Sequence, residues 1–233
     1  MRWWLGLAVA LSLAGCGSRS DVAERPDAPG AATTSPAPAS PAAHANRPRV
    51  VVLGDSLTAG LGLRTEESFP AYLQQEIDRA GLHYEVVNAG VSGDTSAGGL
   101  SRLDWALDGD VRVLVVALGG NDGLRGLPAS ELQHNLAQII ELAQKRGITV
   151  VLAGMEAPPN YGRDYIVSFH QIYPALARQY HVAFVPFLLQ GVGGDARLNQ
   201  RDGIHPTAEG ARIVADNVWT VLRPLVEGRT SRD

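Results

Sequence analysis

Apolar residues fall along this chain in two alternating rhythms. Val50 to Leu53 is a short unbroken run, three of its four residues β-branched, and reads as a buried strand. From Phe69 to Ala80 the spacing changes: Tyr72, Leu73 and Ile77 recur at helical intervals, and Gly81 stops the pattern. Tyr84 to Asn88 is a short second strand. Ser96 to Leu107 reads as one helix, with Leu100, Leu103 and Leu107 on one face. Val111 to Leu118 is a long apolar run, the pattern of a central strand buried on both faces. Ser130 to Arg146 is amphipathic through Leu132, Leu136, Ile139, Ile140 and Ala143, and Gly147 closes it. Ile148 to Ala153 is the fourth strand, Tyr165 to Tyr180 a helix disturbed at Pro174, Val182 to Val185 a fifth strand, and Pro206 to Leu222 the last helix. Such alternation predicts an α/β fold: a three-layer α/β/α sandwich around a central parallel sheet of about five strands. No internal repeat interrupts it.

The rhythm starts only at Arg49. Arg2 is followed by an apolar run, Trp3 to Leu13, too short to span a bilayer, as in an export leader. It ends in Leu13-Ala14-Gly15-Cys16, which resembles the lipobox of bacterial lipoproteins, where cleavage precedes a lipidated cysteine. An ordinary secretory leader is the alternative. The lipobox resemblance makes residues 1–16 a lipoprotein signal peptide and Cys16 the lipidation site, its acyl groups anchoring the chain in a membrane at about 0.8 kcal/mol per CH₂. Gly17, rather than aspartate, follows the cysteine, which favours the outer membrane of a bacterial envelope, facing the periplasm. Residues 17–48 are rich in Ala, Pro, Ser and Thr and carry little to bury, so they read as a disordered tether. The folded domain is expected over 49–227, with a disordered tail at 228–233.

Composition narrows the partners. A net charge of −4 and no basic stripe argue against nucleic acid. The single cysteine excludes an internal disulfide and a cysteine metal cluster. The length beyond the tether supports one substantial core.

Four motifs sit just after predicted strands or before the last helix. They are Gly54-Asp55-Ser56, Gly90-Val91-Ser92-Gly93-Asp94-Thr95, Gly119-Gly120-Asn121-Asp122 and Asp202-Gly203-Ile204-His205-Pro206. In a parallel sheet the loops after the strands share one edge, so the first three can converge. Acyl hydrolysis needs a nucleophile, a base, a group to orient the base, and donors for the oxyanion. Ser56 fits the first; His205 the second, since imidazoles titrate near neutral pH; and Asp202 the third. The oxyanion donors would be the N–H groups of Ser56 and Gly93 and the side-chain amide of Asn121. Asp55 adjoins the nucleophile but suits holding the turn better than joining a triad. His44, His83, His134, His170 and His181 read as surface or packing residues.

Taken in this order, the four motifs resemble the SGNH, or GDSL, hydrolase superfamily over essentially the whole domain. Its nucleophile matches Ser56, its oxyanion glycine Gly93, its oxyanion asparagine Asn121, its base His205 and its acid Asp202. The resemblance implies a flavodoxin-like fold and a serine esterase that forms an acyl-enzyme, with no metal and no organic cofactor. Gly119 to Gly126 and Pro159-Asn160-Tyr161-Gly162 are similar to the arylesterase and multifunctional thioesterase/lysophospholipase branch. That implies a shallow acyl groove bordered by Leu124 to Pro128 and Pro158 to Tyr165, with Leu124, Leu127 and Tyr161 touching substrate. The expected partners are small acyl esters, thioesters or lysophospholipids, and a monomer is expected. Alternatives are removal of acetyl groups from glycans, acyl or glycan binding without turnover, and metal-dependent hydrolysis through Asp55, Asp94, Asp122 and His205.

Overall fold

A computed structural model describes residues 47–230, with side chains through Gly228. The leader, Cys16, His44 and the tether up to residue 46 lie outside the described residues, as do residues 231–233.

Five strands form one fully parallel sheet: β1 (Arg49–Gly54), β2 (Glu85–Gly90), β3 (Val111–Ala117), β4 (Thr149–Ala153) and β5 (Ala183–Val185). Their spatial order is β2-β1-β3-β4-β5. Val50 to Leu53 and Val113 to Val116 are wholly buried, which is why these runs show no polar alternation. The first crossover runs toward one edge of the sheet and the next ones toward the other. Right-handed connections therefore put their helices on opposite faces. Helices α2 (Phe69–Arg79) and α8 (Ala208–Thr230) pack together on one side. On the other lie α3 (Ser96–Ser101), α4 (Leu103–Ala106), α6 (Ala129–Lys145) and α7 (Arg163–Tyr180). The reversal falls between β1 and β3, and ligands of such sheets bind outside the strand ends at that point.

Two one-turn helices, α1 (Ser56–Ala59) and α5 (Gly120–Leu124), follow those two strands and escape any periodicity argument because each is too short to show one. Elsewhere the structure differs from the sequence pattern in three ways. The predicted Ser96 to Leu107 helix is two helices, broken at Arg102, whose backbone is non-helical at φ −109°, ψ 11°. Pro206 does not open the last helix: it pairs with Asn199 in an isolated antiparallel bridge, and α8 begins at Ala208. That helix runs on to Thr230, three residues into the span read as a tail. Pro174 lies inside α7 without ending it.

Gly54 is needed for space rather than for an unusual turn. It is not among the glycines with positive φ. A Cβ there would lie 2.0 Å from Thr58 Oγ1 and 2.8 Å from the Ala117 carbonyl oxygen, so β1, β3 and α1 could not approach as they do.

Candidate active site

The end of β1 presents Ser56 through a tight cap. Asp55 is the N-cap of α1, and its Oδ1 accepts the Leu57 N–H at 3.0 Å. Gly60 closes the turn in the left-handed region at φ 75°. The turn therefore fixes the serine as the first residue of a short helix above the sheet edge.

The histidine arrives from the far end of the chain. Residues Leu198 to Thr207 form a clamped loop: Gln200 N donates to the His205 carbonyl at 2.7 Å, and Thr207 N to that of Leu198 at 2.8 Å. The Gln200 amide also donates to the carbonyls of Leu61 and Pro206, tying this loop to the segment just after α1. His205 Nε2 lies 2.8 Å from Ser56 Oγ, and His205 Nδ1 lies 2.7 Å from Asp202 Oδ2. Asp202 Oδ1 accepts the backbone N–H groups of Ile204 and His205 at 3.0 and 3.1 Å. Those two donors, with the imidazole, hold the Asp202 carboxyl down at about 2, so it stays ionised at neutral pH. The structure thus brings Ser56, His205 and Asp202 into one hydrogen-bonded line.

The three expected oxyanion groups are arranged unequally. Gly93 has φ 86°, a conformation that needs glycine, inside the turn closed by Asp94 N donating to the Val91 carbonyl. Among the described residues, neither the Ser56 nor the Gly93 N–H donates a hydrogen bond. Asn121 Nδ2 is engaged twice, donating to the Asp94 carbonyl at 3.0 Å and to Asp55 Oδ2 at 3.2 Å. Asp122, next to it, turns away: its carboxylate accepts both the N–H and the hydroxyl of Ser96 and anchors the start of α3.

Asp55 is buried behind Ser56, 2% exposed. Burial pushes its carboxyl up to about 6, against the lowering effects of Leu57 N–H, the Asn121 amide and the charge of His205. A carboxyl whose folded value exceeds its ordinary 3.8 binds its proton more tightly in the native state. Its contribution to stability is therefore full below that value and declines as pH rises toward 6, by on the order of 3 kcal/mol. Denaturant titrations of the native protein and Asp55→Asn should diverge by this much between pH 4 and pH 7, the native protein losing stability. Parallel curves would refute the assignment.

A cavity of about 320 Å³ opens beside the serine, with Ser56, Asn121 and His205 in its wall. The rest of the wall is largely apolar, from Leu124, Met155, Pro158, Leu189 and Ile204. Leu124 is where the sequence reading puts it. Leu127 and Tyr161 are not in this wall. The Tyr161 hydroxyl donates to the Leu124 carbonyl at 2.8 Å, and its ring leans on Tyr165. The Leu127 carbonyl accepts the Tyr165 hydroxyl at 2.8 Å. Both therefore brace the loop that carries Leu124. Met155 and Leu189 escape the sequence reading, although Met155 lies two residues beyond β4, where the strand-end rule points. Glu156, also in the wall, pairs with His170 Nδ1 at 2.7 Å.

Comparison with known proteins gives concordant matches. The model of the GDSL-like lipase/acylhydrolase family matches residues 52–213. Esterase TesA of Pseudomonas aeruginosa is 48% identical over 178 residues, covering 76% of this chain and 89% of that protein. Thioesterase 1/protease 1/lysophospholipase L1 of Escherichia coli K12 is 38% identical over 178 residues, covering 76% of this chain and 84% of that protein. Among solved structures, the crystal structure of TesA superposes with a TM-score of 0.73 at 47% identity, over 76% of this chain and 99% of that one.

Proposed function

This chain belongs to the GDSL-like lipase/acylhydrolase family and is an ester hydrolase; from that premise we propose that Ser56, His205 and Asp202 hydrolyse acyl esters and thioesters through an acyl-enzyme. The observation that carries this reading is the unbroken hydrogen-bonded line from Ser56 Oγ through both imidazole nitrogens to Asp202.

In this mechanism Ser56 Oγ bonds to the substrate carbonyl carbon as its proton passes to His205 Nε2. Asp202, ionised, accepts from Nδ1–H, so Nε2 is the nitrogen free to receive the proton. The negative charge on the former carbonyl oxygen meets the Ser56 and Gly93 N–H groups and the Asn121 amide. Asn121 gives the oxyanion a share of the N–H on its longer contact, the 3.2 Å one to Asp55. The C–O or C–S bond then breaks, and the alcohol or thiol leaves with the proton from Nε2. Water, deprotonated by the same nitrogen, cleaves the Ser56 ester and restores the enzyme.

The acyl chain lies in the cavity wall formed by Leu124, Met155, Leu189 and Ile204. The volume sits at the small end of the range for ligand pockets, about 300–1,000 Å³. Lysophospholipids fall within this range of substrates, and removal of glycan acetyl groups is not favoured. One chain supplies the whole line from Ser56 to Asp202, which fits action as a monomer. The Leu13-Ala14-Gly15-Cys16 sequence and the stretch behind it support export and a lipid anchor at Cys16, facing the periplasm.

A chain-length series of aryl esters, with matched thioesters, lysophospholipids and acetylated sugars, tests the substrate class. Each CH₂ buried contributes about 0.8 kcal/mol, so kcat/KM should rise up to about fourfold per CH₂ until the cavity is filled, then level off. An acetylated sugar turned over faster than every longer acyl ester would overturn it.

A further inference from the structure

The helix predicted over Ser96 to Leu107 breaks at a charged residue, and the side chain at the break reaches back into the site. Arg102 Nη2 donates to the Gly54 carbonyl at 2.9 Å, the peptide that leads directly into Asp55 and Ser56. Arg102 Nε donates to Asp94 Oδ2 at 2.6 Å, in an ion pair with both side chains largely buried. One guanidinium thus joins the end of β1 to the loop that carries Gly93.

Both anchors touch the proposed oxyanion site by a second bond. The Gly54 carbonyl also accepts the Val91 N–H at 3.0 Å, which opens the Val91 to Asp94 turn. The Asp94 carbonyl accepts the Asn121 amide at 3.0 Å. Removing the guanidinium would leave the Asp94 carboxylate uncompensated in a mostly buried position. Both the Gly93 N–H and the Asn121 amide would then lose a fixed reference to Ser56. The third nitrogen, Nη1, is buried without a hydrogen-bond partner among the described residues. Structures rarely leave such a donor unpaired. The guanidinium is held where two specific acceptors need it.

We infer that Arg102 is a positioning residue for this reaction: it fixes the nucleophile turn and the oxyanion loop in one register without touching substrate. The inference rests on the roles given above to Ser56, Gly93 and Asn121. An oxyanion donor matters in the transition state more than in substrate binding, so its misplacement lowers kcat and leaves KM near its native value. Lysine has one compact ammonium in place of the planar fork and cannot serve both acceptors in this geometry.

The test compares steady-state kinetics of a short aryl ester for native protein, Arg102→Lys, Arg102→Gln, Asp94→Asn, the double variant Arg102→Gln/Asp94→Asn and Ser56→Ala, with thermal unfolding for each. Arg102→Lys and Arg102→Gln should lose about 10–100-fold in kcat, with KM within threefold and the fold retained. Added guanidinium ion at millimolar levels should restore part of the rate to Arg102→Gln, which a general loss of packing would not allow. The double variant should lose no more than the worse single, because the two act as one unit. If Arg102→Gln does not fold, Arg102→Lys and Asp94→Asn carry the comparison. A kcat within twofold of native in folded Arg102→Lys, or losses that multiply in the double variant, would overturn the inference while leaving the esterase reading intact. Native-like turnover by Ser56→Ala would instead overturn the esterase reading itself.

Discussion

Ser56→Ala is expected to lower kcat for any acyl ester by about 10⁵–10⁶-fold, with little change in KM or thermal stability. The size follows from the chemistry. Without a nucleophile on the enzyme, only oriented water remains, and the oxyanion donors and bound acyl chain contribute what is left. Stability should hold because alanine suits the first position of α1 and the cap, Asp55 Oδ1 to Leu57 N–H, does not involve the Ser56 hydroxyl. Among the described residues, the one side-chain bond lost is that to His205 Nε2. Rapid-mixing kinetics should also show no burst of alcohol release. A variant with native kcat would mean that the serine hydroxyl is not the attacking group.

Asp202→Asn should cost about 10³-fold in kcat, and its cause is a proton in the wrong place. Asparagine oxygen can still accept from the Ile204 and His205 N–H groups, so the loop keeps its shape. Its NH₂ would then face His205 Nδ1 and donate to it. That fixes the tautomer with hydrogen on Nε2, which cannot take the Ser56 proton. For a buried aspartate the same exchange is worth about 10⁴-fold. Asp202 is half exposed, with 47% of its side chain open to solvent, so water softens the loss. Measured kcat with unchanged melting temperature is the check. A loss of less than threefold would show that Asp202 does not set the imidazole tautomer.

The strands were legible in the chain because burial on both faces leaves long apolar runs, as in Val50 to Leu53 and Val113 to Val116. The long helices were legible because one face of each is buried. The break at Arg102 was not, since Leu100, Leu103 and Leu107 keep a helical spacing on either side of it. At the break the Arg102 side chain donates to Gly54, 48 positions earlier, a contact that no local spacing announces. Pro206 carries a signal for starting helices, and here a bridge to Asn199 overrides it. The site shows the same division. Ser56, His205 and Asp202 could be picked out because the chemistry requires those residue types at strand ends and in one order. The direction of a loop side chain carries no such signature. Tyr161 and Tyr165 are turned by acceptors more than 35 residues away, so which side chains join Leu124 in the wall could only be read in three dimensions.

The clamp around His205 has a consequence in time as well as in space. Ser56 and His205 are 149 positions apart. The loop bearing the histidine is bounded by the Asn199–Pro206 bridge and by the helix that packs against α2. In N-to-C synthesis Ser56, Gly93 and Asn121 are therefore made long before His205. A chain that stops short of residue 205 lacks the imidazole that faces Ser56, so it should not hydrolyse an ester. Ester hydrolysis therefore reports that synthesis has passed residue 205 and that its loop has closed on Ser56.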